Sequence, residues 1–111
     1  MSVESMIAKA GTTLKLERAD ESAATVQGDR TQIWATLFSG IPCWAQPANS
    51  GIRAMFAQRQ IAVTHQIYIQ TDLGCLEGDR ITIGSTIYLV KGFINCSGLN
   101  VLWRIEAEER R

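Results

Sequence analysis

A turn–strand–turn–strand stretch, LEGDRITIGSTIYLV at residues 76–90, does most to limit what this chain can fold into. Gly78 and Asp79 favour a turn, because glycine tolerates positive φ and aspartate hydrogen-bonds the backbone two residues on. The runs RITI and TIYLV are rich in β-branched residues, and Gly84 begins the two-residue turn between them. A lone hairpin is not stable in water, so this one must pair with further strands. We therefore expect it to lie at the centre of a small antiparallel sheet or barrel.

Other segments show the two-residue alternation of apolar and polar side chains that is typical of strands. In the first of them, Leu14 and Leu16 share one face and Glu17 lies on the opposite, solvated face. In the cleanest of them, His65 lies in the middle of the apolar face. The segments are Thr12–Arg18, Ile33–Ala45, Ile61–Gln70 and Leu99–Ile105.

Two short helical segments complete the prediction. Residues 2–10 have helical spacing, with Ser2 as the cap and Gly11 as the stop. Ile52–Gln58 has the composition of one or two helical turns, and residues 106–111 form a charged tail that we expect to fray. The predicted fold is therefore mainly β, with residues 1–111 as a single domain. It is a small antiparallel β-barrel or sandwich of about six strands, with a short N-terminal helix and one short helical segment.

Composition and charge limit the classes of function that this chain could have. Hydrophobic residues make up 46% of the chain and charged residues 20%, which is typical of a globular domain. Eleven basic and eleven acidic side chains cancel, so the chain lacks the overall basic field that dominates nucleic-acid affinity. The sequence has no apolar run of membrane-spanning length and no signal-like N-terminus. We expect a soluble protein that is made in the cytosol and has no membrane partner.

The three cysteines and His65 are the side chains that could carry chemistry. Cys43, Cys75 and Cys96 are odd in number and form no CxxC pair, which favours free thiols in a reducing compartment. A structural zinc site usually draws on tight local ligand pairs, and a catalytic triad needs an oriented base. His65 is instead predicted to be a hydrogen-bonded core residue. We therefore expect no enzyme activity, no metal site and no cofactor.

Trp44 and three arginines have more than one interpretation. Trp44 lies just beyond a predicted bulge or bend at residues 39–42, and a tryptophan there is more often a core anchor than a binding residue. Arg53 and Arg59 flank the second helical segment and could contact phosphate or a partner's carboxylates, although such arginines usually form a solvated face. Together with Arg110 in the charged tail, they are the candidate partner-contact residues.

The segment Ala19–Gln32, ADESAATVQGDRTQ, breaks the strand pattern. It is small, polar and charged, with Val26 as its one sizeable apolar side chain. A structureless segment of this length is uncommon in a small domain and is often functional or mobile. An ordinary solvated loop is an equally good interpretation, and the residues leave both open.

The order of the later segments carries a resemblance to a known family. An aromatic-containing strand ends near Trp44, and a short polar helical segment follows it. The pattern VTHxIxI then begins at Val63, and GDRI from Gly78 leads into IYLV. From Thr12 to Glu106 the chain resembles the head–tail joining proteins of tailed bacteriophages, which are the head closure (stopper) and adaptor proteins of the virion neck. The shared motifs are turn and strand signatures rather than chemical ones.

The resemblance implies a β-barrel subunit that is made in the host cytoplasm and forms a homo-oligomeric ring below the portal of the virion. The ring would contact the portal or adaptor protein and the tail or tail-completion protein. Packaged DNA would pass through its channel without sequence-specific binding. A long loop of this family points into the channel and corresponds to residues 19–32. The channel-loop candidates are Asp20, Glu21, Val26, Asp29 and Arg30, whose mixed charge could narrow a channel without gripping DNA.

Three alternatives stay open. A tail-terminator or tail-completion protein of the same neck would have a similar fold. A small β-barrel nucleic-acid-binding module would need a basic, aromatic-studded face, for which Tyr68 and Tyr88 are outward-facing candidates with Lys91 nearest to them. A small enzyme or metalloprotein would use His65 and the cysteines.

Overall fold

Alternating apolar residues and glycine turns build a barrel from this chain. The structure is a computed structural model and describes residues 3–19, 33–98 and 101–110. Within these residues the helices are α1 (Val3–Ala10) and α2 (Ser50–Ala57). The strands in the same ranges are β1 (Thr12–Ala19), β2 (Trp34–Pro47), β3 (His65–Ile69), β4 (Arg80–Ile83), β5 (Thr86–Asn95) and β6 (Trp103–Arg110). A single turn of 3-10 helix, Cys96–Gly98, follows β5.

α1 ends, and α2 begins, at a residue whose conformation or side chain favours that helix terminus. Gly11 follows α1 with a φ of +62°, a left-handed conformation that glycine adopts easily and that stops the helix. Asn49 caps α2, because its side-chain oxygen accepts a hydrogen bond of 2.8 Å from the amide of Ile52. The predicted cap of α1, Ser2, lies outside the described residues.

The strands close into a barrel in the order β1-β2-β3-β6-β5-β4, and each neighbouring pair is antiparallel. The predicted hairpin is the β4–β5 pair, in which Ile81 lies opposite Tyr88. β3 and β4 are consecutive in the chain but are not neighbours in the barrel, so the connection between them crosses from one side to the other. The prediction of a small antiparallel barrel with two short helices is confirmed.

Inward-facing side chains fill the barrel. Leu14 and Leu16, which the alternation predicted to share a buried face, are 1% and 0% exposed. Burying a large aliphatic side chain contributes about 1.5–3 kcal/mol, so several such residues account for much of the stability of a small domain. The buried cluster consists of Leu14, Leu16, Cys43, Ile67, Ile69, Leu73, Cys75, Ile81, Tyr88, Val90, Trp103, Ile105 and Ala107.

β3 is shorter than predicted. The alternation began at Ile61, but the strand begins at His65. Gln60 has a φ of +60°, and the amide of Ile61 donates a 3.0 Å hydrogen bond to the carbonyl oxygen of Phe56. These features hold Ile61 against the C-terminal end of α2, so the strand forms only after the chain has left the helix.

β6 continues through most of the predicted charged tail, residues 106–111, as far as the structure describes it. Glu106 is only 1% exposed, and it is paired with Arg104 on the same strand. Nε2 of Gln66 on β3 also donates to a carboxylate oxygen of Glu106 at 3.1 Å. Ala107 packs into the core. The prediction of a frayed tail is therefore wrong at these positions, because the charged residues make cross-strand contacts.

Glu17 is buried, although the alternation predicted it to be solvated. Its side chain lies on the outer face of β1 as expected, but Glu17 is only 6% exposed. Arg80 approaches Oε1 of Glu17 at 3.0 Å and Lys15 approaches Oε2 at 3.8 Å. The guanidinium of Arg80 also lies 4.4 Å from the centroid of the Trp34 ring. The outer face of the barrel is therefore covered at this point.

β2 runs through the predicted bend without ending. Gly40 has a φ of +68°. The register shifts beside it, because Leu14 pairs with Ile41 whereas Leu16 pairs with Phe38. Extra residues on one strand of a pair form a β-bulge, which bends the strand and increases its twist.

Trp44 does not anchor the core as predicted. It is half-buried on the outer face, because its neighbours Cys43 and Ala45 face inward. Its ring stacks on that of Tyr68 with the centroids 5.7 Å apart. The tryptophan that packs in the core is Trp103, which is 6% exposed.

Candidate functional site

One end of the barrel gathers three strand connections. β1, β3 and β5 finish there and β2, β4 and β6 begin there, because consecutive strands alternate in direction. We call this the loop end. α1 leads into β1 and α2 links β2 to β3, so both helices join the barrel at the opposite end.

The connection between β3 and β4, residues 70–79, contributes to the core as it crosses the loop end. Leu73 and Cys75 are 4% and 5% exposed and belong to the same buried cluster as the barrel side chains. Gly74, which lies between them, and Leu76, which follows them, are exposed. The connection is therefore anchored by side chains that point into the barrel.

Arg18 and Asp79 tie this connection to β1. Nε of Arg18 donates to Oδ1 of Asp79 and Nη2 donates to Oδ2, each at 2.9 Å. Nη2 also donates to the carbonyl oxygen of Gly74 at 3.2 Å, and the amide of Leu76 donates to Oδ2 of Asp79 at 2.9 Å. Asp79 is 3% exposed. The hydrogen bonds to this carboxylate raise the pKa of Arg18, as expected for a bidentate ion pair.

The predicted turn residues Gly78, Asp79 and Gly84 lie at the two ends of β4. Gly78 has a φ of +94°, and its amide donates to the carbonyl oxygen of Val90 at 3.0 Å. The amide of Val90 donates in turn to the carbonyl oxygen of Asp79 at 2.8 Å. The sequence indicated the turn but not the ion pair, because Arg18 is 61 positions away in the chain.

Exposed apolar side chains gather toward the loop end. Among the described residues, the large hydrophobic side chains that are at least 40% exposed lie near this end with one exception, Met55 on α2. Scattered apolar residues are normal on protein surfaces, but a concentration at one end favours an interaction surface. The loop-end residues are Ile33, Leu37, Phe38, Leu76, Ile94 and Val101.

The predicted contact residues are not brought together. Arg53 donates to the carbonyl oxygen of Thr64 at 3.3 Å, Arg59 is exposed after α2, and Arg110 pairs with Glu108 at 3.0 Å. All three arginines lie toward the end opposite the loop end.

The channel-loop candidates Asp20, Glu21, Val26, Asp29 and Arg30 lie outside the described residues. The described neighbours of that segment, at the end of β1 and just before β2, are at the loop end. The described residues that flank the segment are therefore at the end of the barrel opposite Arg53, Arg59 and Arg110.

The contacts of His65 are those of a structural residue. It is half-buried, and a 2.9 Å hydrogen bond joins its Nδ1 to Oγ1 of Thr64. Its ring meets the ring of Tyr88 edge-on at 5.1 Å. Tyr88 was predicted to face outward, but it is 7% exposed and lies in the core. Among the residues that the structure describes, no three His, Cys, Asp or Glu side chains come together as metal ligands.

An aromatic pair and an arginine form a row on the outer face. Trp44 of β2 lies opposite Tyr68 of β3, which lies opposite Arg104 of β6. The two aromatic rings stack at an interplanar angle of 29°. Burial opposes the charge on Arg104, but the neighbouring Glu106 carboxylate outweighs it and the pKa of Arg104 is raised. The positive charge of this row is therefore balanced within the barrel.

The thiols differ in their surroundings. No disulfide joins them: Cys43 and Cys75 are buried, and Cys96 is half-buried. Burial raises the pKa of Cys43 to about 11. Burial, reinforced by the nearby Asp79 carboxylate, raises the pKa of Cys75 to about 12. Because the thiolate is the reactive form, the two core thiols are unreactive at neutral pH.

The sequence matches no protein-family model, and a search of curated proteins finds no match. None of the helices in the described ranges has the length and apolar character of a membrane span.

The ion pair between Arg18 and Asp79 predicts a local stability effect. Asp79→Asn keeps the shape of the side chain but removes its charge, so it weakens the bonds to Arg18 and to the amide of Leu76. We expect the free energy of unfolding to fall by about 1–3 kcal/mol in urea titrations. Asp72→Asn, on the same connection but exposed, is the matched control and should change stability by less than about 0.5 kcal/mol. Equal effects of the two substitutions would contradict this role for Asp79.

The buried thiols predict a loss of stability at alkaline pH. Their pKa values in the folded state are about 11 and about 12, above the value of about 8.5 for an exposed cysteine. The unfolded chain therefore loses these protons first, and the free energy of unfolding falls as pH rises from about 9 to about 11. Urea titrations across this range measure the slope. It should be smaller in the double variant Cys43→Ala, Cys75→Ala than in the wild-type chain, and identical slopes would refute the assignment.

Proposed function

We propose that this chain is a structural protein of the neck of a tailed phage. It forms a ring below the portal that closes the head, retains the packaged DNA and joins the head to the tail. It acts by assembly rather than by catalysis. Its partners are further copies of itself, the portal or adaptor protein on one side, and the tail or tail-completion protein on the other.

The architecture of the barrel is the observation that carries this proposal. The sequence resemblance implies a small closed barrel with a short helix before β1, a second short helix between β2 and β3, and a hairpin that begins at Gly78. The barrel, its helices and the β4–β5 hairpin occur in that order. The exposed apolar side chains at the loop end provide a contact surface of the kind that a ring subunit needs.

The two ends of the barrel suit contacts of different chemistry. The loop end carries exposed Leu37, Phe38 and Leu76, whereas the opposite end carries Arg53 and Arg59. A neck protein must bind two different partners along the path of the DNA. At the loop end Arg18 is paired with Asp79 and Arg80 with Glu17, whereas Arg59 at the opposite end is exposed. This difference in exposed side chains supports binding two partners, one at each end.

The test is an electron-microscopy count of particles made without this protein, from a phage with a nonsense mutation in its gene. We expect empty, tailless heads beside finished free tails, because an unclosed head loses its DNA. Supplying the wild-type gene in the host should restore filled, tailed particles. Full heads that only fail to join tails would favour the tail-completion alternative. Normal virions would refute the neck function.

A nucleic-acid-binding module is the second candidate, and one observation favours it. Trp44 and Tyr68 stack on the outer face beside Arg104, and aromatic side chains on a barrel are the usual platform for unpaired bases. Against it, the pairing of Arg104 with Glu106 neutralises the charge that phosphate binding needs.

A gel-shift titration with single-stranded DNA at two salt concentrations separates the candidates. The charge of Arg104 in this row is balanced by Glu106. We therefore expect no salt-sensitive binding to single-stranded DNA. Salt-sensitive binding that is lost in Trp44→Ala, and kept in the control Phe38→Ala on the same strand, would establish the nucleic-acid-binding function instead.

A further inference from the structure

The first half of β2 is an open strand edge. Residues 43–47 of β2 pair with β3, but within the described part of the chain residues 34–40 have β1 as their one strand neighbour. The backbone groups on the other side of this half-strand therefore have no sheet partner among the residues described. Such an edge is a template for a further strand.

The sequence of this edge lacks charge, although β2 carries a bulge near Phe38 and Pro42 lies just beyond residue 40. Proteins block exposed edges with charged side chains, prolines or very short strands. Residues 34–40, WATLFSG, contain no charged residue and no proline. Leu37 and Phe38 are 40% and 41% exposed there. The bulge twists this edge, but its exposed, apolar and uncharged side chains still make it a surface for association.

β5 has a second open edge. Its pairing with β4 ends at Leu89, and Val90 is bonded to the turn before β4. In the described chain, residues 91–94 then have β6 as their single strand neighbour. The charged residue of this edge, Lys91, lies 3.8 Å from Glu108 of its own barrel, and Ile94 is 40% exposed.

The two edges face in opposite directions. In the barrel order, the β2 edge opens at the junction with β3 and the β5 edge opens at the junction with β4. β3, β6 and β5 separate these junctions on one side, and β4, β1 and β2 separate them on the other, so the junctions are diametrically opposed. Both edges lie toward the loop end.

The strand directions also match. β2 runs away from the loop end and β5 runs toward it. When two copies stand side by side with their barrel axes parallel, β2 of one copy meets β5 of the next in antiparallel orientation. The backbone groups can then form antiparallel hydrogen bonds, interrupted at the bulge in β2.

We propose that copies of this chain assemble by pairing the β2 edge of one copy, residues 34–40, with the β5 edge of the next, residues 91–94. The contact is heterologous, since two different surfaces meet, and repetition of such a contact gives a closed ring when the rotation between copies closes. The zero net charge of the chain imposes no overall repulsion between copies. This inference rests on the proposed ring and names its interface.

Disulfide trapping tests the pairing directly. Thr36 lies opposite Glu17, and Ile94 lies opposite Arg104, so both residues are on the outer face of the barrel. One protein carries Thr36→Cys and another carries Ile94→Cys, each with Cys96→Ser and with tags of different mass. After mixing and oxidation with diamide, we expect the mixed disulfide to exceed both homodimers several-fold.

The control replaces Thr36→Cys by Ser85→Cys, an exposed position in the β4–β5 turn at the opposite end of the barrel. This variant should give no excess of mixed disulfide. A predominance of the disulfide between two copies of Thr36→Cys would mean that β2 pairs with β2, and it would overturn the proposal.

Edge-blocking variants provide a second readout. Light scattering after size exclusion should show the wild-type chain forming larger species as its concentration rises. Leu37→Lys and Ile94→Lys, one on each edge, should shift the chain toward the monomer, because each adds a charge to a pairing edge. Met55→Lys adds the same charge to an exposed position on α2 and should have no effect. A wild-type chain that stays monomeric at all concentrations would overturn the proposal.

Failure of this inference can be told apart from failure of the neck function. If particles without the protein are empty and tailless but the edges do not cross-link, the neck function stands and the interface is wrong. If the edges cross-link but particles without the protein are normal, the chain self-assembles and the neck function is wrong.

Discussion

The bidentate ion pair between Arg18 and Asp79 is the contact on which the loop end depends. The barrel order forces the chain to cross from β3 to β4, and that crossing needs an anchor at each side. Asp79 supplies one by holding the guanidinium of Arg18 and the amide of Leu76 at the same time. Because the carboxylate is 3% exposed, water competes little for these bonds. The crossing segment is thereby held in place, and Cys75 stays in the core.

The local pattern of the sequence predicted the strands but not all their limits. Alternation identified the buried face of β1, and glycine turns located the β4–β5 hairpin, because both signals depend on neighbouring residues. Alternation failed at Ile61, where the end of α2 holds the backbone, and at Glu106, where Gln66 and Arg104 make a charged strand stable. In each place one deciding contact comes from another element, the end of α2 for Ile61 and Gln66 of β3 for Glu106, and a single strand carries no sign of it.

The candidate surfaces were less predictable than the fold. Trp44 lies on the outer face because of the strand register, since a residue one position along a strand faces the other side of the barrel. The open edges of β2 and β5 depend on where their neighbours β3 and β4 stop. Composition gave one useful sign, the absence of charge from residues 34–40, but that run is equally typical of a strand in the interior of a sheet.

The position of β6 has a consequence for the timing of folding. It lies between β3 and β5, so it joins the two halves of the barrel, yet it is the last of the barrel strands to leave the ribosome. Until then β3 and β5 have no common neighbour, and the β3–β6 contacts that close the barrel join residues that are well separated in the chain. Closure is therefore a late and non-local event, of the kind that makes β-topologies fold slowly. A nascent chain can expose strand edges before its barrel is complete, and would be most prone to mispairing during that interval.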